Sequence, residues 1–267
     1  MRTFLFPICA AGLLGLFSGC GGAATKAAAP APDAAAARPT ARAAGTTSAP
    51  HVLVFTRTTG FRHDSIPVGV QAVRELAAQA GLQVEHSEDP NVFGDEGLHG
   101  VRAVVFLSTT GDVLDAAQQA AFERYIAAGG GWLGIHAAAD TEYDWPWYGT
   151  LLGGAWFDSH PPGLQGTHVR FEGAQAGLAD GWRVTDELYN YKRNPRDRVQ
   201  VLATVDERGY AGGKMGDDHP IAWCAAIGNG RGWYTGLGHD AKIYADPTYR
   251  AHLLRGLRYA SGLSGTC

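Results

Sequence analysis

Three histidines in this chain of 267 residues stand just after short apolar runs that read as buried strands. His63 follows the run 51–56 (HVLVFT), His136 ends the run 132–136 (WLGIH), and His239 follows the run 232–237. In an open α/β sheet ligands bind outside the carboxyl ends of the strands, so the topology sends all three imidazoles towards one face. Any one of them alone reads best as a satisfied core residue; together they read as a site. Imidazole there could ligate a metal or move protons near neutral pH. His136 is flanked by Gly134, Ala137 and Ala138, small residues that a tight strand-to-helix turn requires, at the elbow where other α/β enzymes place a nucleophile. If a helix starts there, Asp140 lies four residues on and on the same face. Asp186-Glu187-Leu188-Tyr189 follows a short strand-like stretch, and Glu187 is either a carboxylate of the site or part of a solvated turn. An aromatic cluster (Tyr143, Trp145, Trp147, Tyr148, Trp156, Phe157) precedes His160-Pro161-Pro162. Half or more of it reads as core and the rest as a stacking wall for a sugar ring.

Several other chemistries lose their central residue. Gly129-x-Gly131-x-x-Gly134 has dinucleotide spacing, but it enters a strand instead of leaving one for a helix. The chain has no Gly-x-Ser-x-Gly, no His-Glu-x-x-His and no cysteine at the elbow, which removes serine hydrolase, zincin and cysteine amidotransferase readings. A net charge of −4, a pI near 6.2 and the absence of any run of like charges argue against a nucleic-acid partner.

The elements that must hold these residues alternate. Strands are expected at 51–56, 82–86, 101–108 and 132–136, with helices from Pro67 to Ala80 and over 115–128. Such alternation predicts a doubly wound, mainly parallel sheet with right-handed crossovers. Further strands are expected at 167–171, 199–205, 221–226 and 232–237, then a closing helix over 246–261, so that 51–263 forms one domain. Residues 1–20 read as a secretory signal peptide whose apolar run 4–17 is too short to span a bilayer. Leu16-Phe17-Ser18-Gly19-Cys20 resembles a bacterial lipobox, with ordinary cleavage near an incidental cysteine as the alternative. Cys20 would then carry lipid such as palmitate, and Gly21 after it points to the outer membrane of a bacterial envelope. Residues 21–50, almost wholly Ala, Pro, Gly, Thr and Ser, read as a disordered tether. Of the remaining cysteines, Cys224 reads as a small buried hydrophobe, although a pairing with Cys267 is open to it in an oxidising envelope.

The motifs Gly60-Phe61-Arg62-His63-x-Ser65-Ile66, Gly134-Ile135-His136-Ala137-Ala138-x-Asp140-Thr141, Trp147-Tyr148, Leu152-Gly153-Gly154 with His160-Pro161, Asp186-Glu187-Leu188-Tyr189, His219-Pro220-Ile221-Ala222-Trp223, Gly230-Arg231-Gly232 and Leu237-Gly238-His239 resemble, in this order, the ThuA-like (trehalose utilisation) family. The resemblance implies a class I glutamine amidotransferase-like fold, a flavodoxin-like three-layer α/β/α sandwich, with the amidotransferase cysteine replaced by His136 and the amidotransferase's C-terminal catalytic histidine placed near His239. It also implies disaccharide or keto-sugar metabolism. On this basis His63, His136, Asp140, Glu187 and His239 form the expected catalytic set, and Arg62, Trp147, Tyr148, Tyr189 and His160 the expected substrate contacts. His63, His136, His160 and His239 are expected to share one pocket and could hold Zn²⁺ or Mn²⁺; a metal-free acid/base site is the alternative. The reaction expected is that of a sugar-active lyase, hydrolase or isomerase. A second class of function, a carbohydrate-binding lipoprotein without chemistry, fits the anchor and the aromatic wall. The expected partners are a small carbohydrate and, through the lipid alone, a membrane.

Overall fold

In the computed structural model, which describes residues 50–179 and 181–267, the chain begins with β1 (His51–Phe55), buried from Val52 onward. Pro67 opens α1 (Ile66–Gln79), where its missing N–H has no helical acceptor to lose. β2 (Gln83–Ser87) is polar and largely exposed, as suits an edge. β3 (Val101–Leu107) buries every residue but Arg102. A reciprocal capping box between Asp115 and Gln118 starts α2 (Ala116–Ala127), and β4 (Gly131–Ile135) is buried throughout. There follow α3 (Tyr148–Leu151), β5 (Phe157–Ser159), β6 (Gln165–Phe171), β7 (Trp182–Asp186), β8 (Asn190–Tyr191), β9 (Gln200–Val205), β10 (His219–Ile227), β11 (Gly230–Thr235) and α4 (Pro247–Ala260).

Nine strands make one sheet in the order β2-β1-β3-β4-β11-β10-β9-β6-β7. From β2 to β11 neighbours run parallel; from β11 to β7 they run antiparallel. Alternation along the central strands builds the layers. Val105, Leu133 and Ile135 meet Val73 and Leu76 of α1 and Leu253 and Leu257 of α4. Phe106, one residue on from Val105, packs on Phe122 of α2 and Tyr148 of α3. This is a flavodoxin-like three-layer sandwich whose far half is an antiparallel extension.

The structure departs from the sequence reading in three places. A one-turn 3-10 helix, His136–Ala139, occupies the elbow in place of an α-helix. In keeping with the rejected dinucleotide reading, Gly131 and Gly134 serve packing, since a Cβ would meet the Ala260 backbone or the ring of Trp132, and Gly129 holds a left-handed φ of 102°. The two-stranded ribbon of β5 and β8 was not expected. Cys224 is more than a buried hydrophobe, since it forms a disulfide with Cys267 across 43 residues, tying the tail beyond 263 back to β10. The expected signal peptide, the lipid-bearing Cys20 and nearly all of the tether lie outside the described residues. Among the described residues no helix is long and apolar enough to cross a membrane.

Candidate active site

Four strand ends meet here. His63 comes from the loop after β1, His136 from the end of β4, His239 from the loop after β11, and Glu187 from the residue after β7. His136 Nε2 lies 3.2 Å from His63 Nε2 and 3.2 Å from His239 Nδ1. Glu187 Oε2 lies 3.4 Å from His136 Nε2 and 3.2 Å from His239 Nδ1. The four ligand atoms all fall within 4.8 Å of one another.

His136 is fully buried and holds a left-handed φ of 52°, which a side chain with a Cβ adopts only when its surroundings demand it. The demands are visible: Tyr234 Oη donates to the His136 carbonyl at 2.9 Å, and Tyr148 Oη to that of Ala138 at 2.7 Å. His136 Nδ1 lies 2.9 Å from the Gly236 carbonyl. A carbonyl only accepts, so Nδ1 carries the proton and Nε2 presents a lone pair to the cluster in the neutral ring.

The His239 loop is held by Asp186, a buried carboxylate that accepts from the amides of Gly238 at 2.6 Å and Asp240 at 2.8 Å. Tyr249 Oη donates to the Leu237 carbonyl and Ser65 Oγ to that of Gly238, which links the His239 loop to the segment carrying His63. Burial raises the Asp186 carboxyl above its ordinary range. The His63 imidazole is lowered to about 3, first by burial and then by His136 and His239 beside it. Burial pushes the Glu187 carboxyl up, yet hydrogen bonding to His136 and His239 overcomes this and holds it well below the usual carboxylate range. The same bond from Glu187 raises His239, against the effect of burial.

Of the other residues expected at the site, His160 sits at its rim, with Nδ1 at 2.8 Å from the Pro161 carbonyl and 3.2 Å from Glu187 Oε1. The ring of Tyr189 packs 4.4 Å from that of His136. Asp140 does not join the four. The 3-10 turn ends at it, and its carboxylate accepts from Tyr143 Oη at 2.6 Å. Tyr148 is a core residue between Phe106 and Trp132, fully buried and so closed to substrate. Trp147 stacks on Trp145. Arg62 forms a solvent-exposed ion pair with Glu88 at 2.7 Å. Asp186, Tyr234 and Ser65 carry structural roles at the site that the sequence reading had not assigned. His219 adds another, since its Nε2 lies 2.9 Å from the carbonyl of Tyr189. Only the inward phase of β7, buried at Trp182, Val184 and Asp186, offered a clue to the buried carboxylate.

Three nitrogens and one oxygen at these spacings suit a cation. Tetrahedral bonds of about 2.0–2.1 Å place neighbouring ligand atoms about 3.3 Å apart. Imidazole with carboxylate is a donor set for Zn²⁺ or Mn²⁺. Without a cation the same atoms can form a hydrogen-bonded chain, in which His239 Nδ1–H donates to Glu187.

The fold and the site define a flavodoxin-like α/β protein with a histidine and carboxylate cluster at the carboxyl ends of its strands. Residues 51–260 match the ThuA family model, described as trehalose utilisation, and the chain belongs to that family. Among solved structures it is similar to a ThuA-like protein from Bacteroides uniformis (TM-score 0.67, 22% identity, 84% of this chain and 95% of the other). A second similar structure is a ThuA-like protein from Parabacteroides merdae (TM-score 0.63, 21% identity, 79% and 89%). A β-galactosidase from Bacillus circulans sp. alkalophilus shares the fold over 80% of this chain and 31% of its own (TM-score 0.51, 14% identity). No curated protein matches the sequence.

Proposed function

We propose that this protein is an enzyme of carbohydrate metabolism that acts on a disaccharide or keto-sugar, with Zn²⁺ or Mn²⁺ held by His63, His136, Glu187 and His239. The observation that carries the reading is the spacing of the ligand atoms: four of the six pairs lie 3.2 to 3.4 Å apart, close to the edge of a coordination tetrahedron, and all six lie within 4.8 Å. A bound cation supplies Lewis-acid polarisation of a sugar carbonyl or hydroxyl. His160 Nδ1–H faces two acceptors, the Pro161 carbonyl and Glu187 Oε1. Its Nε2 therefore carries the lone pair and takes a proton from the sugar carbon beside a keto group; in elimination the C–H pair forms a C=C bond as the β-oxygen leaves and takes up a proton, and in isomerisation the proton is returned to a neighbouring atom. Glu187 uses its other oxygen, Oε1, to orient the His160 ring, at 3.2 Å from Nδ1. Membership of a family described as trehalose utilisation supports the substrate class. Anchoring to a bacterial envelope through Cys20 belongs to the same proposal; the Cys224–Cys267 disulfide, a bond that persists in oxidising compartments, supports it.

Elemental analysis of the purified protein, coupled to a turnover screen of disaccharides and their 3-keto forms, tests the reading. About one equivalent of Zn or Mn is expected, with metal and turnover both lost in His136→Ala while the far-ultraviolet circular dichroism is unchanged. A protein without metal or turnover that binds sugar equally well as wild type and as His136→Ala would be a carbohydrate-binding module instead.

A further inference from the structure

Resting on the carbohydrate reading above, we propose that Phe61 is the platform on which a sugar ring of the substrate stacks. A neutral pyranose lays its apolar C–H face on the phenyl ring, while oxygens on its edge reach the His63, His136, Glu187 and His239 cluster. Among the described residues Phe61 is the most exposed large hydrophobic side chain, at 67% against 44% for Val68, the next. Its ring meets that of His63 edge to face, with centroids 4.9 Å apart, so the apolar surface adjoins the cluster directly.

A lone exposed phenylalanine on a loose loop needs no explanation. This loop is pinned on both sides of the ring. Thr59 donates its amide to the Thr110 carbonyl at 2.9 Å and its hydroxyl to that of Asp112 at 3.2 Å. Thr110 Oγ1 donates to the carbonyl of Phe61 itself at 2.8 Å, and Arg62 is tied to Glu88. A ring held in water by fixed backbone has little freedom left to lose on binding and apolar area to gain, which is how preorganised contacts add affinity. Tyr189, on the His136 side of the cluster, cannot play this part, because the residue is 3% exposed and its ring is packed against Phe157. Phenylalanine brings no hydrogen-bonding group, so recognition at this wall is of C–H surface, and the polar recognition falls to the cluster and to His160.

Saturation-transfer NMR and steady-state kinetics on the full chain, with trehalose, 3-keto-trehalose and glucose as probes, test this. Wild type is expected to transfer magnetisation chiefly to the ring protons of one pyranose face. Phe61→Ala is expected to lose that pattern, with KM raised roughly tenfold and kcat held within about twofold; Phe61→Trp should restore both. Equal transfer and equal KM in wild type and Phe61→Ala overturn the platform and leave the carbohydrate reading standing. Absence of both transfer and turnover for every probe in wild type overturns the carbohydrate reading and the platform with it.

Discussion

His136 joins two requirements in one residue, a left-handed turn and a lone pair aimed at three other groups. Its φ of 52° belongs to a region that costs a non-glycine residue about 1–3 kcal/mol, offset by the tyrosine hydroxyls of Tyr234 and Tyr148 on the carbonyls of the turn. Glycine would relieve the backbone and delete the imidazole, so the strain belongs to the site. Asp186 acts one step further out, fixing the His239 loop through two amides. Asp186→Asn keeps the shape but weakens this clamp, and metal affinity is expected to fall roughly 10–100-fold. Competition against a chromogenic chelator measures this; unchanged affinity in a folded variant would remove Asp186 from its positioning role.

At the scale of elements, the aromatic segment before β5 packs into and against the core: Trp145 and Tyr148 are buried, and Trp147 and Trp156 are partly buried against them. Tyr148 on α3 is core, and its hydroxyl supports the elbow turn through Ala138. Tyr148→Phe should therefore lower unfolding free energy by about 1 kcal/mol and leave KM unchanged, as denaturant titration and kinetics can show. In α4, His252 is fully enclosed near Trp233 and Phe171 with one nitrogen on Gln175. Burial, helped by nearby Arg255, lowers it from 6.5 to about 3. The unfolded chain thus takes up this proton as pH falls through 6.5 while the folded chain does not until about 3. The contribution of neutral His252 is complete above pH 6.5 and is lost as pH falls towards 3, with a slope approaching about 1.4 kcal/mol per pH unit. Thermal unfolding of His252→Gln between pH 7.5 and 5 should show a shallower decline than wild type. Equal slopes would mean that His252 protonates in the native state.

Across the whole molecule, the parallel half of the sheet supplies three histidines, and the antiparallel extension supplies Glu187 from the end of β7. The extension is therefore part of the site as well as a cover. The Cys224–Cys267 disulfide closes a loop that contains β11, the His239 loop and α4. Chain-entropy reasoning gives such a cross-link about 2–4 kcal/mol. Cys267→Ser is expected to lose stability of that order in chemical denaturation and to retain bound metal. If stability is unchanged and an intact-mass measurement finds both thiols free, the bond does not form in solution.

Much of the fold was legible because its determinants are local. The apolar runs ending near His63, His136 and His239, Pro67 at the start of α1 and Asp115 at the start of α2 each specify an element within a few residues of themselves. The strand-end rule then places the three histidines on one face. Partner choice is different in kind, because it depends on distances through space that periodicity does not carry. Tertiary structure alone selects Glu187 over Asp140 as the carboxylate of the cluster, moves His160 from expected ligand to rim, and buries Tyr148. It also joins Cys224 to a cysteine 43 residues away. The reason lies in the turns: a single 3-10 turn after His136 sends Asp140 to Tyr143, while the end of β7, far off in sequence, brings Glu187 to the three imidazoles.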